Sequence, residues 1–90
     1  MTADKIREII VIYRKKFEEL SISQKQFPLN SIPKSDDDFL AHCHGMLDEI
    51  EVFIQEGRID KVFRWLGFIQ GCFWRVGIYT VEEMKNHNRP

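Results

Sequence analysis

Three consecutive residues, His42, Cys43 and His44, carry side chains that commonly bind metal ions. Zinc sites draw such ligands from positions one helical turn apart or from separate elements. Successive residues of a helix point about 100° apart, so three in a row cannot hold one ion. The pairs Asp38–His42 and His44–Asp48 have a one-turn spacing but supply only two ligands each. We therefore expect no metal site and interpret these pairs as solvated groups on an acidic helix.

Side chains that could catalyse a reaction are sparse. The sequence has no glycine-rich phosphate loop, no G-x-S-x-G and no H-E-x-x-H. Cys43 could act as a nucleophile beside a histidine, but it lies on the apolar stripe of its helix, where a thiol is inert. The acidic run Asp36–Asp38 is explained by its place at the start of a helix. We expect a protein that is not an enzyme and needs no cofactor.

A ligand-binding role is suggested by Tyr13, which is followed directly by Arg14, Lys15 and Lys16. In one interpretation these cations form a solvated face near the C-terminus of a helix, where positive charge is favourable. In the other they face a phosphate, with the tyrosine ring beside it. The sequence leaves both interpretations open.

The net charge of −1 conceals strong segregation along the chain. Residues 1–34 and 61–90 each have three more basic than acidic residues, whereas residues 35–60 have seven more acidic than basic residues. A general nucleic-acid binder would spread positive charge along one continuous face. We therefore expect no DNA binding, while a local basic pocket remains compatible with the sequence.

The apolar periodicity predicts an all-α fold in a single domain, residues 1–90. Thr2 is a partial N-cap, Ser35 a good one, and Thr80 opens a T-x-x-E capping box. Gly57 is typical of a residue that ends a helix. The polar tail KNHNRP is either frayed or packed across a neighbour. The predicted helices span about residues 3–20, 35–56, 58–76 and 81–86, and the second and third should form an antiparallel hairpin.

Residues 21–34 form the only long irregular segment, with Pro28 and Pro33 pushing the residues before them out of helical space. Segments of this length in compact domains are usually functional or disordered. Three apolar side chains predict that this one is pinned to the core: Phe27, Leu29 and Ile32.

The stretch Asp60–Thr80 is apolar on nearly every side of a helix and holds both tryptophans. A helix of this kind is normally buried all round. A chain of 90 residues has few other elements to cover it, so we expect other copies of the chain to do so, in a homo-oligomer. Gly67 and Gly71 lie one turn apart and would let another backbone approach closely.

The same stretch is not expected to cross a membrane, because Arg64, Gln70 and Arg75 interrupt the apolar run. The charged N-terminus has no apolar segment typical of a signal peptide. The two cysteines, Cys43 and Cys72, lie in apolar helical patterns and are expected to be reduced core thiols. We therefore expect a cytoplasmic protein, in the host cytoplasm if a phage encodes it.

The run FRWLGFIQGCFWRVGIYTVEEMKNHNRP, with the IPKS-to-HCHGMLDE entry into the second helix, resembles small proteins of T4-like tailed phages. Over about residues 31–90 the chain is similar to the anti-CBASS cyclic-oligonucleotide sponge family. The resemblance implies an all-α homo-oligomer, a compact hexamer, that serves immune evasion. It would sequester the cyclic di- and trinucleotides with which bacteria signal phage attack, without cleaving them.

In that family an aromatic residue of helix one stacks on a base, while a lysine and a hydroxyl near helix two hold the phosphates. The positions that match here are Tyr13, Lys34 and Ser35, and Lys25 is the alternative lysine. Stacking on an aromatic ring contributes roughly 1–3 kcal/mol per base. Because Asp36–Asp38 would repel phosphate, the ligand would have to approach from the Lys34 side.

A second site of the family, for trinucleotides, lies between subunits and needs arginine, for which Arg64 and Arg75 are the candidates. The alternative function is a phage protein-interaction module that inhibits a host protein through an aromatic helical surface. An exposed face of Trp65 or Trp74 would serve as its hot spot.

Overall fold

The computed structural model describes all 90 residues as four α-helices with no strand. The all-α prediction is therefore confirmed. The first three helices agree with their predicted bounds to one residue at each end, and the fourth extends two residues further. The helices are α1 (Ala3–Glu19), α2 (Asp36–Gln55), α3 (Ile59–Arg75) and α4 (Val81–Asn88).

Three of the helices begin with the caps that the sequence predicts. The hydroxyl of Thr2 accepts a hydrogen bond from the first turn of α1, and that of Ser35 accepts one from the Asp38 amide at 3.1 Å. Thr80 and Glu83 form a complete capping box, with both hydrogen bonds at 3.0 Å. These bonds satisfy amides that have no partner inside a helix, which fixes where each helix starts.

Gly57 and Gly77 follow the ends of α2 and α3 and adopt left-handed backbone angles, with φ of 73° and 78°. This region is costly for residues with a Cβ atom but open to glycine. The next residue in each case donates a backbone hydrogen bond to the helix end, Arg58 to Phe53 at 2.9 Å and Ile78 to Phe73 at 2.8 Å. Both turns therefore stop their helices by the usual glycine geometry.

A core of apolar side chains joins the helices. The most extensive interface is between α2 and α3, and α1 packs against both α2 and α4. No helix is long and apolar enough to cross a bilayer. The core comprises Ile6, Ile9, Ile10, Tyr13, Phe17, Leu40, Cys43, Met46, Leu47, Ile50, Val62, Leu66, Ile69, Phe73 and Met84.

The ring of Phe73 lies where α1, α3 and the segment before α4 meet. Its centroid is 4.7 Å from that of Tyr13, 5.3 Å from that of Phe17 and 5.3 Å from that of Tyr79. Edge-on and tilted ring pairs at these distances add to the free energy gained by burial. Phe73 thus connects three parts of the chain.

The irregular segment between α1 and α2 is held mainly through its backbone. His44 Nδ1–H donates to the Ile22 carbonyl at 2.8 Å, and the Lys25 amide donates to a carbonyl of α2 at 3.2 Å. The prediction that Leu29 and Ile32 pin this segment is wrong, since their side chains are 106% and 82% exposed. The two backbone anchors lie earlier in the segment and leave its second half over the surface.

The end of α4 is anchored by polar groups rather than frayed. The Gln70 side-chain amide donates to the Tyr13 hydroxyl at 3.0 Å and to Asn88 Oδ1 at 2.8 Å. The same hydroxyl lies 3.1 Å from Nδ1 of His87. The oxygen of the Tyr13 hydroxyl accepts the hydrogen bond from Gln70. The O–H of Tyr13 is therefore free to donate to the neutral imidazole of His87.

Burial lowers the pKa of His87 below its usual value of 6.5. The Glu83 carboxylate opposes this shift, and the Lys5 ammonium adds to it. Protonation would also remove the lone pair of Nδ1 that accepts the Tyr13 hydrogen bond. The folded state therefore favours neutral His87.

We expect the free energy of unfolding to fall as the pH drops below about 6.5, because the unfolded chain takes up a proton on His87 more readily than the folded chain. The loss should reach roughly 1 kcal/mol, the contribution of one hydrogen bond. Urea unfolding of the wild type and His87→Gln between pH 7.5 and 5 measures it. The wild type should lose its advantage over the variant as the pH falls, and a constant difference would contradict the assignment.

Phe73→Ala should lower the free energy of unfolding by about 3–5 kcal/mol, because it removes a buried ring shared by three parts of the chain. The matched control is Leu29→Ala, whose side chain is free in solvent and should change stability by less than about 0.5 kcal/mol. Urea unfolding followed by circular dichroism compares them. Equal losses in the two variants would show that Phe73 is not the centre of the core.

Candidate functional site

The two sides of α3 differ sharply. One side is buried by Val62, Leu66, Ile69 and Phe73. The opposite side exposes large apolar side chains, and 62% of Trp74 is accessible. Gly67 and Gly71 lie among these exposed side chains, and a Cβ atom added at either glycine would meet nothing within 4 Å. The chain itself therefore covers one side of α3 and leaves an apolar side uncovered; the exposed aromatic residues are Phe63, Phe68 and Trp74.

A shallow depression, the α3 groove, runs beside this uncovered side. It consists of three adjoining cavities of about 480, 200 and 510 Å³, and the Phe68 ring lines all three. The irregular segment forms one wall, and the first half of α2 together with the middle and end of α3 forms the others. The aromatic and apolar side chains that line it include Phe27, Leu29, Phe39, His42, Trp65, Phe68 and Val76.

An arginine stands at each end of the α3 groove. Arg64 lines the 510 Å³ cavity and Arg75 lines the 480 Å³ cavity. Neither guanidinium group forms an ion pair, although Glu49 and Asp36 line the same two cavities. The arginines are three helical turns apart, or roughly 16 Å at 1.5 Å per residue. The structure thus brings these two predicted site residues to one groove, on one rigid helix.

Tyr13 is placed away from the groove, in the core. Its ring is fully buried between Phe73, Tyr79 and His87, and its hydroxyl is held by Gln70 and His87. Burial raises the pKa of Tyr13 to about 12. In this structure neither face of the ring is open to a base, because the residue belongs to the apolar stripe of α1. The expected stacking role is therefore not available to Tyr13 in this conformation.

Two of the three basic residues after Tyr13 are engaged with the protein itself, while Lys15 is exposed. Arg14 forms an ion pair with Asp48, and Lys16 pairs with Glu19 at 3.2 Å and lies over the Tyr79 ring. Hydrogen bonding to Arg14 lowers the pKa of Asp48. This geometry favours the interpretation of a solvated basic face over that of a phosphate-facing patch.

The other predicted phosphate ligands meet at the start of α2. Lys34 is exposed, while the Ser35 hydroxyl is already used as the N-cap. Lys25 approaches the same turn, with its Nζ 3.5 Å from Asp38 Oδ1. Asp36 of this turn also lines the end of the groove near Arg75. The structure therefore brings both lysines to one helix end, beside three carboxylates.

The side chains of His42, Cys43 and His44 point in different directions, as the helical spacing predicts. His42 meets Phe27 edge-on at 6.0 Å, Cys43 is buried, and His44 stacks on Phe17 at 4.7 Å. The structure contains no group of three or more His, Cys, Asp or Glu side chains that could hold a metal ion.

Sequence reasoning missed the aromatic walls of the groove. The relevant signal was the spacing of Arg64, Phe68 and Arg75, which lie four and seven residues apart and so share one face of a helix. Phe27 and Phe39 could not be assigned to the same site, because their place in one cavity depends on how the irregular segment folds back over α2.

Comparison with known proteins provides no relative, since no protein-family model, no curated protein and no solved structure matches the chain.

Proposed function

We propose that the protein binds and sequesters cyclic di- and trinucleotides without cleaving them, and so blocks bacterial CBASS signalling against phages. The observation that carries this proposal is the α3 groove, in which unpaired Arg64 and Arg75 stand on either side of exposed aromatic rings. The resemblance of the C-terminal two-thirds of the chain supports the same ligand class. Sequestration rather than cleavage is what that resemblance implies.

The chemistry of the groove suits a ligand with both flat bases and phosphates. Aromatic side chains such as Phe68 and Trp65 offer surfaces on which bases stack, worth roughly 1–3 kcal/mol each. A planar guanidinium donates two parallel hydrogen bonds to a phosphate. Since Arg64 and Arg75 have no partner to give up, binding a phosphate breaks no existing ion pair.

In this proposal the bases stack on aromatic rings of the α3 groove instead of on Tyr13. Arg64 and Arg75 keep their expected role as ligand-binding residues. Lys34 and Lys25 remain candidates for an additional phosphate contact near the Arg75 end, because both lie at the start of α2. The neighbouring carboxylates Asp36 and Asp38 oppose anion binding there. The groove beside Phe68 is therefore the better location for the bases.

We further propose that the chain works as a homo-oligomer, with the hexamer implied by the resemblance as the expected assembly. An antiparallel hairpin of α2 and α3 would form its scaffold. Open space over Gly67 and Gly71 admits the backbone of another copy, and the exposed rings of Phe63 and Trp74 flank that contact. Because the groove lies beside this surface, a second copy would complete its open side.

Replacing Arg64 or Arg75 by alanine should weaken binding of cyclic dinucleotides and trinucleotides at least tenfold, because a hydrogen bond to a charged group contributes about 1.5–3 kcal/mol. Isothermal titration of cyclic di- and triadenylate and of cGAMP measures the change. The matched control is Lys15→Ala, which removes an exposed cation outside the groove.

Two further results complete this experiment. The control should bind like the wild type, and ligand released by denaturing the protein should be chemically intact. Flat heats for the wild type across the ligand set would contradict the proposed function. Normal binding by both arginine variants would contradict the proposed site.

Gly71→Glu should split the oligomer, because it places a charge and a longer side chain where the backbone of a second copy would approach. Light scattering with size-exclusion chromatography measures the mass. The control is Val52→Glu, which introduces the same charged side chain at an exposed position of α2 and should leave the assembly intact. A wild-type mass of 10.7 kDa at micromolar concentration would contradict the assembly.

The exposed rings of Phe63, Phe68 and Trp74 also favour a second candidate function, a phage module that inhibits a host protein. Exposed aromatic clusters of this kind are typical protein-interaction hot spots. Pull-down from host lysate separates the two functions. A stoichiometric protein partner that is lost in Trp74→Ala, with no nucleotide binding, would favour this candidate.

A further inference from the structure

The helix α4 is held to the rest of the protein largely by polar contacts at its C-terminal end. It contributes a single buried side chain, Met84, to the core, whereas α1, α2 and α3 supply all the others. The side chains of Gln70 and Asn88 exchange two hydrogen bonds, at 2.8 and 3.3 Å, and Nδ1 of His87 lies 3.1 Å from the Tyr13 hydroxyl. Little apolar burial therefore opposes the separation of α4 from the other three helices.

The hydrogen bonds that reach His87 run in one direction. The Gln70 amide donates to the Tyr13 oxygen at 3.0 Å, and the Tyr13 O–H donates to Nδ1 of His87. A protonated imidazole has a hydrogen on both ring nitrogens and accepts no such bond. Protonation would leave the buried Tyr13 O–H without an acceptor, unless Gln70 turned its oxygen to it and gave up its bonds to Asn88. Because an unpaired buried polar group is costly, protonated His87 weakens the contacts of α4 with both α1 and α3.

The charged groups around His87 nearly balance each other. Lys5 of α1 disfavours the imidazolium, whereas Glu83 of α4 favours it. The Tyr79 ring packs edge-on against the imidazole at 4.7 Å, and from α3 the neutral Gln70 approaches the same hydroxyl. Burial is the largest effect, and it lowers the pKa of His87 below 6.5. The contacts of α4 are therefore complete above pH 6.5 and weaken as the pH falls below that value.

His44 provides a contrast within the same chain. Its Nδ1 lies 2.8 Å from the carbonyl oxygen of Ile22. A carbonyl only accepts, so Nδ1 of His44 is the donor and this hydrogen bond forms in both protonation states. His87 is the histidine whose hydrogen bond to Tyr13 requires the neutral ring.

We propose that α4 is a pH-operated latch: protonation of His87 frees α4 from α1 and α3, while α1, α2 and α3 stay packed together. The inference rests on the one-way hydrogen bonds through Gln70, Tyr13 and His87 and on the small share of α4 in the core. Release would uncover the Tyr13 hydroxyl and the Tyr79 ring, neither of which lines the α3 groove. The latch stands independently of the nucleotide-binding proposal.

Hydrogen–deuterium exchange of the native full chain at pH 7.5 and 5.5 measures the opening helix by helix, by peptide mass spectrometry and after correction for the pH dependence of intrinsic exchange. The amide protection of α4 should fall about fivefold at pH 5.5, the change expected from the loss of one hydrogen bond. Peptides from α2 and α3 should keep their protection, because their contacts do not involve His87.

Three variants separate a latch from a merely structural contact. His87→Gln removes the titrating ring, so the protection of α4 should be the same at both pH values. Tyr13→Phe keeps the buried ring but removes the hydroxyl, and it should abolish the pH response as well. The matched control is His44→Gln, which should respond to pH like the wild type. Circular dichroism checks that the variants are folded, and the wild-type profile is informative without them.

Nitrogen-15 chemical shifts of the histidine rings test the direction of the hydrogen bonds without any variant. At pH 7.5 His87 should carry its hydrogen on Nε2, whereas His44 should carry it on Nδ1. The titration midpoint of His87 in the folded protein should lie below pH 6.5.

Four results would overturn the proposal. The protection of α4 could be equal at the two pH values, or all four helices could lose protection together, which is unfolding rather than the release of a latch. The other two are a pH response of α4 that persists in His87→Gln and a hydrogen on Nδ1 of neutral His87.

Discussion

The packing of Phe73 is the constraint on which the rest of the structure depends. Its ring contacts Tyr13 and Phe17 of α1 and Tyr79 before α4. Once α3 turns this residue inward, the opposite side of the helix must face outward. The open glycines Gly67 and Gly71, the exposed tryptophan and the two free arginines are all consequences of that single rotation.

The same constraint places the candidate site on a rigid element. Arg64, Phe68 and Arg75 lie on one helix, so their separation is set by helical geometry rather than by a loop. Sites held on helices keep their geometry better than sites on loops. Only the wall of the groove formed by the irregular segment depends on softer contacts, chiefly the two backbone hydrogen bonds of Ile22 and Lys25.

Short-range features were predictable from sequence, and long-range ones were not. Ser35, Gly57 and Thr80 marked helix ends correctly, because capping depends on neighbours within a few residues. Periodicity placed Tyr13 on the apolar stripe of α1, whereas the family resemblance implied that its ring stacks on a base of the ligand. In this structure the ring is buried in the core, as the apolar stripe predicts. Leu29 was misjudged because apolar character alone does not bury a side chain in an irregular segment.

The central claim is that a cyclic nucleotide binds in the α3 groove. The most direct measurement is a crystal structure of the protein with a bound cyclic dinucleotide. We expect the bases to lie against Phe68 or Trp65 and the phosphates to lie at Arg64 or Arg75. A ligand bound at Tyr13, with α4 displaced and the groove empty, would contradict it.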